Sequence, residues 1–207
     1  MTHEQREFFM KQIAFYFQMN HITEIHFRSL SKYIRRQFPG LKTFRELDYF
    51  EADVRTCTFL VRDPLGNYSF VHRSFGEYFA ARCAVDFFVE GEWPEYLWKG
   101  KSYNPSSWIT PETARFVIDI IDKNNYLEKI LSYLYSTYLN GILFLNILSV
   151  FKFSNQKKHR EVFDIIHWLH ENNKMRGVGY RIELASLAKE HHTNNWKSIG
   201  RKLKRFY

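Results

Sequence analysis

A mainly α chain in two parts is predicted: three helices, a β-hairpin and a long helix over residues 1–90, a linker over 91–110, and an all-α helical array over 111–207. Three observations predict it. Apolar residues recur at helical spacing through most of the chain, and the period drops to two only on either side of Asp63-Pro64-Leu65-Gly66. Residues 91–110 are rich in Trp, Tyr, Pro, Gly and Ser, which marks a connection between packed parts. Aromatic residues make up 18% of the chain and are spread along it, which argues against a disordered tail and for several packed helices.

Residues 3–19 form an amphipathic pattern with Phe8, Phe9, Ile13, Phe17 and Met19 on its apolar face, broken at His21-Ile22-Thr23. A second helix over 27–38 places Leu30, Ile34 and Phe38 four residues apart and stops at Pro39-Gly40. Thr43-Phe44-Arg45-Glu46 has capping-box form and opens a third helix over 44–55. Residues 56–61 and 67–71 then read as two strands of a hairpin, and a long helix over 73–89 follows with Phe75, Tyr78, Phe79, Cys83 and Phe87 at helical spacing. Three helices, a hairpin and a helix is the element order of a winged-helix domain, with the hairpin as the wing and residues 44–55 in the place of the recognition helix.

Beyond the linker, Thr110-Pro111 pairs an N-cap with Pro at the first helical position, and the helix to Lys123 carries Phe116, Val117, Ile120 and Ile121 on one face. Asn125 to Glu128 repeats the cap-and-acid spacing and opens a helix bearing Leu127, Ile130, Leu131, Leu134 and Tyr138. Residues 141–153 are nearly all apolar and read as a buried helix, with further helices at 156–171, 181–192 and 194–206.

The formal charge of +8 suits nucleic acid, an acidic partner or a membrane surface, but the cations are dispersed. The two cysteines, Cys57 and Cys83, lie in apolar segments and read as buried reduced thiols of a cytoplasmic protein. No signal region opens the chain, and the longest apolar run, 141–151, is too short to span a bilayer, so no membrane partner is expected.

Motifs for catalysis are imitated rather than present. Gly100-Lys101-Ser102 resembles the end of a phosphate-binding loop, but Glu95 stands where that loop needs Gly, and Pro94 and Asn104-Pro105 flank it instead of strand and helix. Gly177-Val178-Gly179 lacks a third glycine, and His167 and His170 lack a third metal ligand nearby. No active site is expected, so the chain alone is not an enzyme and holds no cofactor or metal of its own. His72 is the candidate site residue. It stands between the strand period and the helical period, where a ligand phosphate can be met. The alternative is a buried junction histidine that packs and hydrogen-bonds the backbone.

Tyr68-Ser69-Phe70-Val71-His72-Arg73-Ser74-Phe75-Gly76-Glu77-Tyr78-Phe79-Ala80-Ala81 resembles the last motif of NACHT-type STAND NTPases, the signalling ATPases that include NOD-like receptors. In that family a strand ending F-x-H leads into a helix reading S-F-Q-E-F-x-A-A within the winged-helix domain. The run Asp53-Val54-Arg55-Thr56-Cys57-Thr58-Phe59-Leu60 resembles the family's lead-in to the wing. Gly76 stands where Gln is usual.

The resemblance implies that His72 contacts the β-phosphate of bound ADP and latches the winged helix onto a nucleotide-binding NACHT domain, supplied in cis or in trans. Release of that latch would let the domains rotate, with self-oligomerisation on activation. ADP or ATP belongs to the complete family architecture. The 207 residues contain no P-loop, so the expectation is the C-terminal part of such a protein, as a fragment or a split gene, and bacterial relatives of this kind often serve antiviral defence. A second reading is a DNA-binding winged-helix protein with a helical partner-binding tail. It uses Arg28, Lys32, Arg35, Arg36 and Lys42 around the second helix, and a basic end from Lys197 to Arg205 could also meet phosphates. The apolar Phe44, Leu47, Tyr49 and Phe50 of the recognition-helix position argue against it. A helical adaptor without ligand is the third.

Overall fold

The computed structural model describes residues 2–38, 48–50, 52–54, 59–90, 109–130 and 150. Lys42, Cys57, Gly100 to Ser102, His167, His170, the 177–179 glycines and the basic end all lie outside them, as do the linker and most of the predicted array. The described elements are α1 (His3–Met19), β1 (Glu24–His26), α2 (Phe27–Gln37), a helical α3 at residues 48–50 and 52–54, β2 (Leu60–Arg62), β3 (Asn67–Phe70), α4 (Arg73–Glu90) and α5 (Pro111–Lys123). Residues 127–130 are helical as well. The described chain is mainly helical, with one small antiparallel sheet.

Helix ends are set by local chemistry. Thr2 and Gln5 form a reciprocal capping box, with the Gln5 amide 3.2 Å from Thr2 Oγ1 and the Thr2 amide 2.9 Å from Gln5 Oε1. At the other end of α1, His21 adopts φ 52°, its amide donates to Gln18 and the Ile22 amide to Phe17. That is a Schellman closure built on a histidine instead of glycine. The break at His21-Ile22-Thr23 therefore has a definite geometry.

The same closure ends α5. Asn125 stands at φ 54°, its amide faces Asp122 and the Tyr126 amide donates to Ile121. The sequence places Asn125 as the cap of the next helix, but an N-cap needs extended backbone and this residue is left-handed. Asn125 closes α5 and does not open its successor. At the start of α5, Thr110 caps the helix as expected, its hydroxyl accepting from the Thr113 amide with Pro111 at the first helical position.

The sheet has the order β1-β3-β2, with both pairings antiparallel. The hairpin β2–β3 falls where the period of two predicts it, with β2 reaching Arg62, while residues 56–58 of the expected strand lie outside the described residues. β1 is absent from the sequence reading. It has three residues and one buried side chain, Ile25, which faces Tyr68 across the ladder. Pairing with β3, not local pattern, makes it a strand.

One core holds these pieces together. Phe9, Met10, Ile13 and Phe17 of α1 meet Ile25, Leu30 and Ile34, Phe50 and Val54 of α3, and Leu60 and Tyr68 of the hairpin. The helices thus pack against the sheet face that carries Leu60, Tyr68 and Ile25. Polar contacts bind α4 to α1 beside that core: Arg82 donates to Glu7 at 2.8 Å, and Gln12 Nε2 lies 3.7 Å from the buried thiol of Cys83. The chain divides into two compact units, Met1–Ala84 and Val85–Tyr207, at a point inside α4. Among the described residues, no helix is long and apolar enough to cross a membrane.

The hairpin turn depends on Asp63. Its carboxylate accepts from the Asn67 amide at 2.8 Å and from Asn67 Nδ2 at 3.1 Å, and its own amide donates to the Asn67 carbonyl. The Asn67 backbone bond holds the carboxyl below its usual range. A carboxyl lowered by folding adds stability above the unfolded range and loses it as pH falls through the folded value. Urea midpoints measured down a pH series should therefore drop in the acid range, and Asp63→Asn should flatten that drop. An identical acid profile in the variant would rule the contribution out.

Candidate functional site

His72 stands between the last rung of the hairpin and the first turn of α4. The Val71 amide donates to the Phe59 carbonyl at 2.8 Å, which carries the β2–β3 ladder to the residue just before it. On the other side the Phe75 amide donates to the His72 carbonyl at 3.1 Å, and the Ser74 amide donates to His72 Nδ1 at 3.2 Å. His72 thus occupies the N-cap of α4, with its ring accepting one of the helix's orphan amides.

This arrangement fixes the ring's tautomer. Because Nδ1 accepts from the Ser74 amide, the proton of the neutral ring sits on Nε2. The Ser74 hydroxyl lies 2.7 Å from the same nitrogen. His72 is exposed. Its Nε2–H is thus an oriented donor on the protein surface, held by a strand on one side and a helix on the other. A buried, packed histidine is not what the junction contains, although the backbone hydrogen bond of that alternative is present.

The helix start contributes less than its sequence promises. The amides of Ser74 and Phe75 are engaged by His72 itself, so the dipole and the ring remain as the groups that favour an anion there. Arg73, next in the chain, is tied back to Glu77 at 2.7 Å. Ser74 is the residue that sequence reasoning missed. Its only signal was the spacing His-x-Ser at a helix start, a pattern that holds an imidazole by one nitrogen.

Gly76 has a structural reason. A Cβ there would lie 3.0 Å from Cδ2 of Phe70 and 3.4 Å from two further atoms of the same ring. The Phe70 ring therefore lies on the bare backbone of α4, and its other contact is edge-on to Phe17, with ring centroids 5.8 Å apart. Close approach of β3 to α4 takes the space that a longer side chain would fill. In an open helix interior, Gly→Ala adds about 1 kcal/mol of stability. Gly76→Ala should fall well short of that figure by chemical denaturation, and the gain should return when Phe70→Ala is combined with it. Additive effects in that double-mutant cycle would mean that the ring and the glycine are not coupled.

The five cations proposed around α2 separate into two groups. Arg28, Lys32, Arg35 and Arg36 are exposed on α2, and Lys42 lies outside the described residues. The expected recognition helix is described only at 48–50 and 52–54, where Tyr49 is exposed and Phe50 and Val54 belong to the core. Among the described residues, no group of three or more His, Cys, Asp or Glu side chains could hold a metal ion. Comparison of the chain with models of known protein families, with characterised proteins and with solved structures gives no match.

Proposed function

We propose that the chain is the regulatory winged-helix and helical module of a NACHT-like nucleotide switch, and that His72 is its phosphate latch. One observation carries this reading. The imidazole is presented at a strand–helix junction with Nδ1 consumed by the Ser74 amide and Nε2–H turned into a donor. A rigid donor at the surface can hold a phosphate oxygen of ADP bound in a separate nucleotide-binding domain, in cis or in trans. The helix dipole behind the ring favours the same charge.

The element order supports the winged-helix part of the proposal. A short strand between α1 and α2, a hairpin after the helical residues 48–50 and 52–54 and a sheet ordered β1-β3-β2 are the arrangement expected of a three-helix core with a wing, and α4 follows directly from the hairpin. In this reading the latch keeps the switch closed while ADP is bound. Its release allows the domains to rotate and the protein to self-associate in the cytoplasm, in a signalling role such as antiviral defence.

His72→Ala and His72→Asn test the latch together. Asn caps a helix well, so His72→Asn keeps the start of α4 while removing Nε2–H, whereas Ala removes both. One hydrogen bond to a charged group contributes about 1.5–3 kcal/mol, so ADP dissociation from the assembly with the nucleotide-binding domain should speed up roughly 10- to 100-fold in both variants. An unchanged ADP off-rate in His72→Asn, with α4 intact by circular dichroism, would remove His72 from this role.

A further inference from the structure

We propose that the outer face of α2, with the adjoining wing strand, is an interface for duplex nucleic acid, held through its phosphates and not read by base. The inference is independent of the latch. Arg28, Lys32 and Arg36 follow one another at four-residue intervals, which places them on one face of the helix over about 12 Å. All three are exposed, and α2 itself contains no carboxylate.

Arg62 adds a fourth cation from β2. Its guanidinium lies 5.0 Å from the centroid of Phe27, against the same ring that Arg28 approaches at 5.7 Å, and 5.9 Å from that of Tyr68. Phe27 thus gathers cations from two elements onto one surface, with the His26 ring beside it at 4.5 Å. Ion pairs among the described residues of unit 1 join Lys11 and Arg82 to Glu7 and Arg73 to Glu77, away from these four side chains. None of the four cations of this face pairs with a described residue. Asp63 follows Arg62 at the start of the turn. Both oxygens of Asp63 are already used by Asn67.

The chemistry of the four side chains selects the partner. Three are guanidinium forks, whose planar donors match phosphate oxygens, and the fourth is a lysine. Cations spaced along about 12 Å of helix suit a row of phosphates better than one small anion. The exposed residues of α2 include no Asn or Gln to pair with adenine, so contacts to the backbone dominate and sequence preference is weak. The overall charge of +8 favours the approach of a polyanion in general.

Fluorescence anisotropy of a labelled duplex with the 207-residue chain, free of nucleotide, tests this directly. Four phosphate contacts give a slope of log affinity against log salt of about −3.6, which is a loss of roughly 100-fold between 50 and 200 mM salt. Arg28→Ala/Lys32→Ala/Arg36→Ala should reduce the slope to about −1, and Arg62→Ala alone should reduce it by about one. Lys123→Ala, an exposed cation on α5, should leave it unchanged, as should an unrelated duplex sequence. All four side chains are outside the core, and thermal unfolding by circular dichroism checks that each variant is folded. The proposal is overturned if there is no anisotropy rise at 50 mM salt, if the triple variant keeps the full slope, or if Lys123→Ala lowers the slope as much as Arg62→Ala. Displacement by poly-glutamate as readily as by unlabelled duplex would also overturn it, in favour of an acidic protein surface.

Discussion

Replacing Phe9 by Ala is expected to destabilise the protein by about 3–5 kcal/mol, measured as a shift in urea midpoint at constant m-value. Phe9 is fully buried and joins three elements. Its ring meets Phe50 of α3 edge-on at 5.7 Å and Phe38, the C-cap residue of α2, at 6.4 Å, while Phe38 and Phe50 lie 4.6 Å apart. Truncation opens a cavity among rings that cannot all close on it, and the edge-on pair is lost in addition. Since a domain of this size has about 5–15 kcal/mol in total, this one change removes a large fraction of it. Phe8, its neighbour, is 41% exposed and touches only the edge of Phe38, so Phe8→Ala should cost far less. Equal costs at the two positions would contradict the packing described.

Gly66→Ala is the second large effect, expected at about 2–4 kcal/mol. Gly66 closes the three-residue hairpin loop after Pro64 and Leu65 with φ 93°, a left-handed value that is unfavourable for a residue bearing Cβ. A Cβ there would also come within 2.9 Å of Cδ1 of Phe27. The two costs add. Phe27 is in turn tied to this loop, because its amide donates to the Gly66 carbonyl at 2.9 Å, so the start of α2 is pinned to the hairpin. Asn tolerates left-handed backbone but would meet the same ring, so Gly66→Asn should recover only part of the loss. Full recovery by Asn would show that backbone strain alone is responsible. Displacement of Phe27 should also disturb the seat of Arg28 and Arg62.

Most element boundaries were legible because their causes are local. The bounds of α1, α2, α4 and α5 follow apolar spacing and caps that lie within a few residues of each end, and the turn at Asp63-Pro64-Leu65-Gly66 follows from residues that pre-set its backbone. The candidate site was legible in the same sense. His72 stands where two periods meet, and both periods are visible in the chain.

Other features depend on partners far away in the sequence. β1 is a strand because Ile25 pairs with Tyr68, and three residues carry no period of their own. The rung from Val71 to Phe59 sets where the junction stands, whereas the bond from the Ser74 amide to the His72 ring is local, two residues away. Arg62 joins the basic face only because its strand brings it to Phe27. Asn125 looked like a cap by composition, and its backbone conformation, not its side chain, made it a helix end.

The motif around His72 thus shows both kinds of information. The residue types and their spacing specify a strand, a histidine and a helix, since those depend on side-chain alternation and capping within one short stretch. The hold of Ser74 on the ring belongs to that same short stretch, whereas the closeness of Gly76 to Phe70 was decided by tertiary contact, because close approach between β3 and α4 is a property of two surfaces and not of either alone.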